Sequence, residues 1–281
     1  MKTYLDCIPC FFDQALRAGR AATNDEKKIR QLLDEIGIML KDISLESTPP
    51  ETGQIIYRKV REITGNSDPY KEIKKRDTKK ALSLYPSLKK VIESSDDKLL
   101  TAIRIAIAGN VIDLGANASF DIEKEIDVVL EKDFAICNYN AFAEQLRKSD
   151  RVLYIGDNAG ETVFDRLLIE QMNKPTTYVV RDIPVINDAV YEDAVQAGLH
   201  RAADIISSGT SAPGTILDTC SPEFIELLNK SEFVIAKGQG NYEGLSNENR
   251  RIFFLLKAKC KIIADDIGVK KGDILLKGIN I

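Results

Sequence analysis

Residues 151–172 read RVLYIGDNAGETVFDRLLIEQM. A short β-rich run, RVLYIG, breaks at Gly156 into a polar turn, and the helical stretch TVFDRLLIEQM follows. The same unit recurs downstream: TTYVVR before INDAVYEDAVQAG, DIISSG before PEFIELLNK, FVIAKG before NENRRIFFLLKAKC, and KIIADD as a closing run. Strand, loop and helix repeated in this way predict a parallel sheet with right-handed crossovers, a Rossmann-like α/β domain.

Upstream the period is helical. Ile29, Leu32, Leu33, Ile36, Met39, Leu40 and Ile43 form one apolar face, with Thr23-Asn24-Asp25-Glu26 as its N-terminal signal. GQIIYRKVREITG predicts a second helix closed by Gly65. KKRDTKKALSLYPSLKKVIESS predicts a third, interrupted at Pro86, whose lysine-rich start around residues 71–80 reads as a solvated face. DDKLLTAIRIAIAGNVIDLG is the most apolar and predicts a buried central helix, and SFDIEKEIDVVLEK a short connection or strand and another helix. The expected architecture is therefore α/β. Helical N-terminal subdomains over residues 1–140 pack on a Rossmann-like domain with a mainly parallel sheet over residues 141–281, the boundary falling within 138–150.

Composition narrows the chemistry. The chain has 281 residues, 44% hydrophobic and 29% charged, with 39 basic against 43 acidic residues and a net charge of −4. That balance predicts no nucleic-acid footprint and no polybasic membrane patch. No apolar run approaches the roughly 20 residues that span a bilayer. The opening MKTYLDCIPC lacks a leader-like apolar run, so a cytoplasmic protein with reduced thiols is expected. His200 is the single histidine. This excludes His-rich zinc sites, the two-histidine iron triad and HExxH proteases, and it leaves carboxylates, amides, lysines, backbone groups or a hard metal to carry any chemistry.

In an open parallel sheet, ligands bind beyond the carboxyl ends of the strands. The loops there are GDNAGE (156–161), RDIPVINDA (181–189), SSGTSAPGT (207–215), KGQGNYE (237–243) and Asp265-Asp266. Asp157, Asn158 and Asp188 offer only oxygen ligands, which suits Mg²⁺ or Mn²⁺ and, less strongly, Co²⁺ or Ni²⁺. Lys237 supplies a point cation for phosphate. The SGTSAPG loop, with Ser208, Gly209 and Thr210, and Gly238 beside Lys237 supply backbone N–H donors for the same anion. Asp157, Asp188 and Lys237 are thus the expected catalytic set. Against this stands capping: Asp and Asn after a strand commonly cap helices, and Asp265 and Asp266 are expected at the surface or at a cap. Convergence of acid–amide pairs on two strands with a lysine on a third favours the functional reading.

Cys7-Ile8-Pro9-Cys10 has metal or redox spacing. Cys137, Cys220 and Cys260 are scattered and form no second pair, so packing of two small thiols is the simpler reading. His200 reads as a helix C-terminal residue favoured by the dipole. Gly109-Asn110 and Asp113 interrupt the apolar helix, where local hydrogen bonding or exposure to a cleft explains them.

MKTYLDCIPCFFDQALRA, AGNVIDLG, GDNAGE, RDIPVINDA and KGQGNYE together resemble the DUF89 family of metal-dependent damage-control phosphatases, and its CxxC-bearing branch in particular. The resemblance spans essentially the whole chain. It implies helical subdomains packed on an α/β domain with the site in the cleft between them, and Asp157, Asn158 and Asp188 as metal ligands. It further implies Lys237 as the phosphate-binding lysine, Asn110 near substrate, and hydrolysis of phosphate monoesters of small metabolites supported by Mn²⁺, Co²⁺, Ni²⁺ or Mg²⁺. Attack by a metal-activated water and attack by a rim carboxylate both remain open. Two other readings compete: a Rossmann-type S-adenosylmethionine-dependent methyltransferase, suggested by VLYIGDNAGE, and a non-catalytic metal- or metabolite-binding module.

Overall fold

The computed structural model describes residues 1–111 and 130–281, with the backbone alone at residues 110 and 111. Strands β2 (Val152–Ile155), β3 (Thr176–Val180), β4 (Asp204–Ser207), β5 (Val234–Lys237) and β6 (Ile252–Lys257) are mutually parallel. Strand β7 (Ile274–Ile279) runs antiparallel to β6, and β1 (Phe134–Cys137) lies beyond it, giving a seven-stranded sheet ordered β1-β7-β6-β5-β2-β3-β4. The chain leaves β2 toward β3 on one side and reaches β5 on the other. The crevice of this doubly wound sheet therefore opens beyond the carboxyl ends of β2 and β5.

Two sequence expectations fail at the end of the sheet. IFFLLK, taken as part of a helix, is β6. KIIADD, taken as the last strand, belongs to a helix, Lys261–Ile267. A continuous apolar run carries no period with which to tell strand from helix. Here Phe253 and Leu255 enter the core on one face of the sheet while Ile252, Phe254 and Leu256 enter the core on the other, a strict alternation that only the surrounding layers reveal. The helix is instead set by its ends. Cys260 Sγ accepts from the Ile263 N–H at 3.5 Å, and Gly268 takes a left-handed φ of 83° as the terminating residue.

The helices form two layers and a satellite. On one face lie α5 (Lys98–Val111), α6 (Tyr139–Lys148) and α7 (Thr162–Met172). Ile103, Ile105 and Ile107 of α5 are fully buried, each removed from water at a gain of about 1.5–3 kcal/mol. The opposite face is covered by α9 (Pro222–Lys230), α10 (Gly238–Leu245) and α11 (Lys261–Ile267), through Phe224, Leu228, Tyr242, Leu245 and Ile263. A separate core joins α1 (Cys7–Ala22), α2 (Glu26–Leu40) and α3 (Pro49–Thr64) to Val185, in the loop after β3. The α2 start follows its sequence signal: Asp25 Oδ1 accepts from the Lys27 N–H at 2.9 Å.

Helix α4 (Lys71–Ser94) runs through Pro86 without interruption. The backbone bond lost at Pro86 is outweighed by Ala81, Leu88 and Ile92, which bury on the sheet-side core. Its lysine-rich start is not wholly solvated. Lys74 is buried between Asp68 (3.0 Å) and Asp193 (2.8 Å), the latter at the start of α8 (Tyr191–Gln196). INDAVYEDAVQAG thus yields only this short helix. Asp113 and most of SFDIEKEIDVVLEK lie outside the described residues.

Candidate active site

Beyond β2 and β3 the two loops lie against each other. The Ala159 N–H donates to Asn187 O and the Ala189 N–H to Asp157 O, both at 2.8 Å, and Asn158 and Asp188 pair as an isolated antiparallel bridge. This brings Asp157, Asn158 and Asp188 to one spot. Gly156 makes the turn possible, since a Cβ there would stand 2.4 Å from the Tyr178 hydroxyl.

Neither the Asn158 nor the Asp188 side chain is spent on a helix cap. Asn158 precedes a single 3₁₀ turn, Ala159–Glu161, without a side-chain capping bond. Its amide instead donates to Asp157 Oδ2 at 3.2 Å and to Glu161 Oε1. Asp188 Oδ2 accepts from Arg181 Nε at 2.8 Å. Arg181 is buried, and its Nη2 reaches Asn241 Oδ1 at 3.0 Å, while Asn241 Nδ2 donates to Gly156 O (2.9 Å) and Lys237 O (2.7 Å). One asparagine of α10 therefore ties the ends of β2 and β5 together and orients the arginine that holds Asp188.

Lys237, expected from sequence as a cation for phosphate, lies beneath the carboxylates with its ammonium turned into the protein. Lys237 is fully buried, and its ammonium donates to Ala106 O (2.8 Å), Glu161 Oε2 (3.1 Å) and Asp165 Oδ1 (2.5 Å). Three donors meet three acceptors, and Asp165 also accepts from the hydroxyls of Tyr154 (2.8 Å) and Tyr178 (2.7 Å). Burial alone pushes the lysine pKa down, but Asp165 and Glu161 outweigh it and hold the pKa above its usual value. Glu161, Asp165, Arg181 and Asn241 were not singled out from sequence. Glu161 and Asn241 sit inside GDNAGE and KGQGNYE, and their position beside the chosen residues was the available signal.

Part of the SGTSAPG loop is engaged within the loop and with its neighbours, although Ser208 Oγ is buried without a partner among the described residues. The Ser208 N–H donates to Val180 O, the Gly209 N–H to Ser207 Oγ, and Thr210 Oγ1 pairs with Thr219 Oγ1. The loop then packs on α10, where a Cβ at Gly240 would stand 2.2 Å from Pro213 O. It leads into a 3₁₀ turn, Leu217–Thr219, before α9. The Ser208 and Gly209 N–H groups and the Thr210 hydroxyl are thus engaged within the protein. Gly238 differs: it has a φ of 76° and opens α10, whose N-cap residue Lys237 makes no side-chain capping bond. The Asn110 side chain lies outside the described residues.

The carboxylates repel one another. Burial, then the charges of Glu161 and Asp188, push Asp157 well above the usual carboxylate range, and Arg181 and Lys259 pull it back only in part. Burial likewise raises Asp188 against the opposing pull of Arg181. Among the described residues no three carboxylate, cysteine or histidine side chains form a ready-made metal cage. Two carboxylates and an amide oxygen still form a hard donor set, and mutual repulsion between buried acids is what a divalent cation relieves. These residues fit an oxygen-bound divalent metal.

Next to Asn187 opens a cavity of about 740 Å³, walled by α1, α3 and α4 on one side and by loops of the sheet domain on the other. Its lining includes Cys7, Cys10, Gln14, Tyr57, Asn187, Gln239 and Cys260. Asn187, next to Asp188, lies in its wall, while Asp157, Asn158 and Asp188 themselves are not among its lining residues. His200 is exposed in a one-turn 3₁₀ helix, Leu199–Arg201. Asp266 accepts from the Tyr242 hydroxyl at 3.0 Å, and Asp265 pairs with Lys261 along α11.

A doubly wound α/β sheet with buried acids at its switch point, roofed by helices, is the class of protein this fold defines. Comparison with known proteins specifies it. Residues 3–275 match the damage-control phosphatase ARMT1-like domain. A damage-control phosphatase of Pyrococcus horikoshii is 34% identical over 98% of this chain and 97% of its own length, and one of Archaeoglobus fulgidus is 35% identical over 96% and 97%. An uncharacterized protein of Methanocaldococcus jannaschii is 36% identical over 97% of this chain and 94% of its own length. The crystal structure of a DUF89 family protein from P. horikoshii superposes with a TM-score of 0.88 at 33% identity, covering 98% of both chains. The chain belongs to the damage-control phosphatase ARMT1-like family, the DUF89 proteins. Membership places it among phosphatases and not methyltransferases.

Proposed function

We propose that this protein hydrolyses phosphate monoesters of small metabolites with a divalent cation, Mn²⁺, Co²⁺, Ni²⁺ or Mg²⁺, held by Asp157, Asn158 and Asp188. The observation that carries this reading is the Asn158–Asp188 bridge, which sets the oxygen donors of two loops side by side at the switch point. The cation would supply charge neutralisation at the phosphoryl oxygens and acidify a water molecule.

The chain's own residues do the rest. Arg181 holds Asp188 in one orientation, and Asn241 holds Arg181. The N–H groups at the start of α10, from Gly238 onward, present the positive end of a helix to the phosphate. Lys237 acts from below, holding Glu161 in place so that Glu161 orients the Asn158 amide. The 740 Å³ cavity beside Asn187 is the space for the leaving group.

The test is turnover of p-nitrophenyl phosphate across Mg²⁺, Mn²⁺, Co²⁺ and Ni²⁺, in the wild type and in Asp157→Asn and Asp188→Asn. Metal-dependent turnover lost in both variants is expected. Turnover that survives either substitution, or that survives stringent chelation, overturns the reading.

A further inference from the structure

The Cys7-x-x-Cys10 motif takes no part in the site described above, yet it faces the same cavity. Cys7 and Cys10 occupy the first turn of α1, and both line the pocket along with Cys260. Residues three apart on a helix project from one face, with Cα atoms about 5 Å apart by helix geometry. That separation lies inside the roughly 4.4–6.8 Å range of disulfide-bonded cysteines. Both thiols are free, Cys10 exposed and Cys7 half-buried.

A hydrogen-bond chain leads from the motif to the site. Gln14 Nε2 donates to Cys10 Sγ at 3.2 Å, and Gln14 Oε1 accepts from the Tyr57 hydroxyl at 3.1 Å. Tyr57 is buried on α3, lines the cavity, and is close enough to Asp188 to feel its charge. Gln14 therefore couples the position of Cys10 Sγ to a side chain in the substrate cavity.

We infer that Cys7 and Cys10 form a reversible dithiol–disulfide site in the wall of the substrate cavity, oxidised by a small-molecule disulfide. The exposed Cys10, as thiolate, attacks one sulfur of the small disulfide, forming a mixed disulfide and releasing one small thiolate. Cys7 then loses its proton to that thiolate or to water and attacks Cys10 Sγ, expelling the second small thiol. Two protein thiols are oxidised, and one small disulfide is reduced to two thiols. Burial pushes the Cys7 thiol up, which suits Cys7 to the second, intramolecular attack and the exposed Cys10 to the first. Bond formation draws Cys10 Sγ toward Cys7 and away from Gln14, releasing Gln14 and with it the Tyr57 hydroxyl.

The thiol chemistry stands by itself, while its effect on turnover rests on the phosphatase reading. The experiment uses the full chain, reduced and then incubated with oxidised glutathione, alkylated with N-ethylmaleimide and mapped by peptide mass spectrometry. Loss of adducts at Cys7 and Cys10 together, restored by dithiothreitol and absent in Cys10→Ser, is expected. The oxidised protein should turn over p-nitrophenyl phosphate with KM raised roughly two- to tenfold, the equivalent of one neutral hydrogen bond, and kcat little changed. Adducts that persist at Cys7, a stable Cys10–glutathione adduct, or a Cys10–Cys260 bond overturn the site, and an unchanged KM overturns its coupling to the cavity. Reduced protein without turnover indicts the phosphatase reading alone, because the alkylation map still decides the disulfide.

Discussion

Asn158 and Asp188 pair across two loops that follow different strands, and the Ala159–Asn187 and Ala189–Asp157 backbone bonds lock the pair on either side. Two residues distant in sequence thus share one rigid frame. The frame costs something, because burial and the neighbouring carboxylates raise the Asp157 pKa, and Arg181 and Lys259 offset this only in part.

Asp157→Asn and Asp188→Asn are both expected to lower activity, and Asp157→Asn alone to raise stability, since Asp188→Asn also takes the buried Arg181 from its ion-pair partner. Activity should fall on the order of 10²-fold or more, since a donor to the cation is weakened. Asp157→Asn should raise the Tm of chelated protein, because burial, Glu161 and Asp188 already disfavour its charge. A chelated Asp157→Asn protein less stable than wild type would contradict the repulsion argument.

Metal addition should stabilise the wild type. A cation bound by the native state alone contributes about 2.7 kcal/mol at roughly a hundredfold excess over its Kd. Thermal unfolding with and without Mn²⁺ should show a rise in Tm for wild type and a much smaller one for Asp188→Asn. Equal rises in both would exclude Asp188 from the metal set.

Lys237→Met should cost about 3–5 kcal/mol, because it strands Glu161 and Asp165 without their buried cation. A second substitution, Asp165→Asn, should restore part of the loss. If Lys237 instead served only as a phosphate ligand, Lys237→Met would change KM and leave denaturant unfolding untouched.

Glu243 gives a pH signature. Burial raises its pKa to about 7 against the pull of the Gln239 hydrogen bond, from an ordinary value of 4.5. The folded protein therefore holds a proton that the unfolded chain releases, and stability falls as pH rises from about 4.5 to about 7 and then levels off. Glu243→Gln should flatten this part of the Tm–pH curve. An identical slope in the variant would show that Glu243 ionises normally.

Gly240→Ala should displace the loop that carries Pro213, since the added Cβ meets Pro213 O at 2.2 Å. Lower Tm and a raised KM are expected, because Pro213 and Gly240 both line the cavity. A wild-type KM would show that the loop yields without disturbing the pocket.

Much of this organisation is legible in local residue order. The β2 turn at GDNAGE, the α2 start at Asp25 and the α3 stop at Gly65 each rest on neighbouring residues, and each appears where those residues predict it. The strand at 252–257 was not legible, because its alternation exists only relative to two helical layers. The same holds for Lys74, whose burial depends on Asp193, far along the chain.

The site divides along the same line. Residue types alone pointed to oxygen donors at the ends of parallel strands, since one histidine in the chain left little else and strand order implies a switch point. Tertiary structure alone decided which charges face the cleft. Lys237 was read as a free cation because a strand-end lysine next to a glycine-rich turn resembles one. Its ammonium instead closes on Ala106 of α5, Glu161 of the 3₁₀ turn after β2 and Asp165 of α7. A buried ammonium has to find three acceptors, and which acceptors lie within reach is a property of packing that no single stretch of sequence contains.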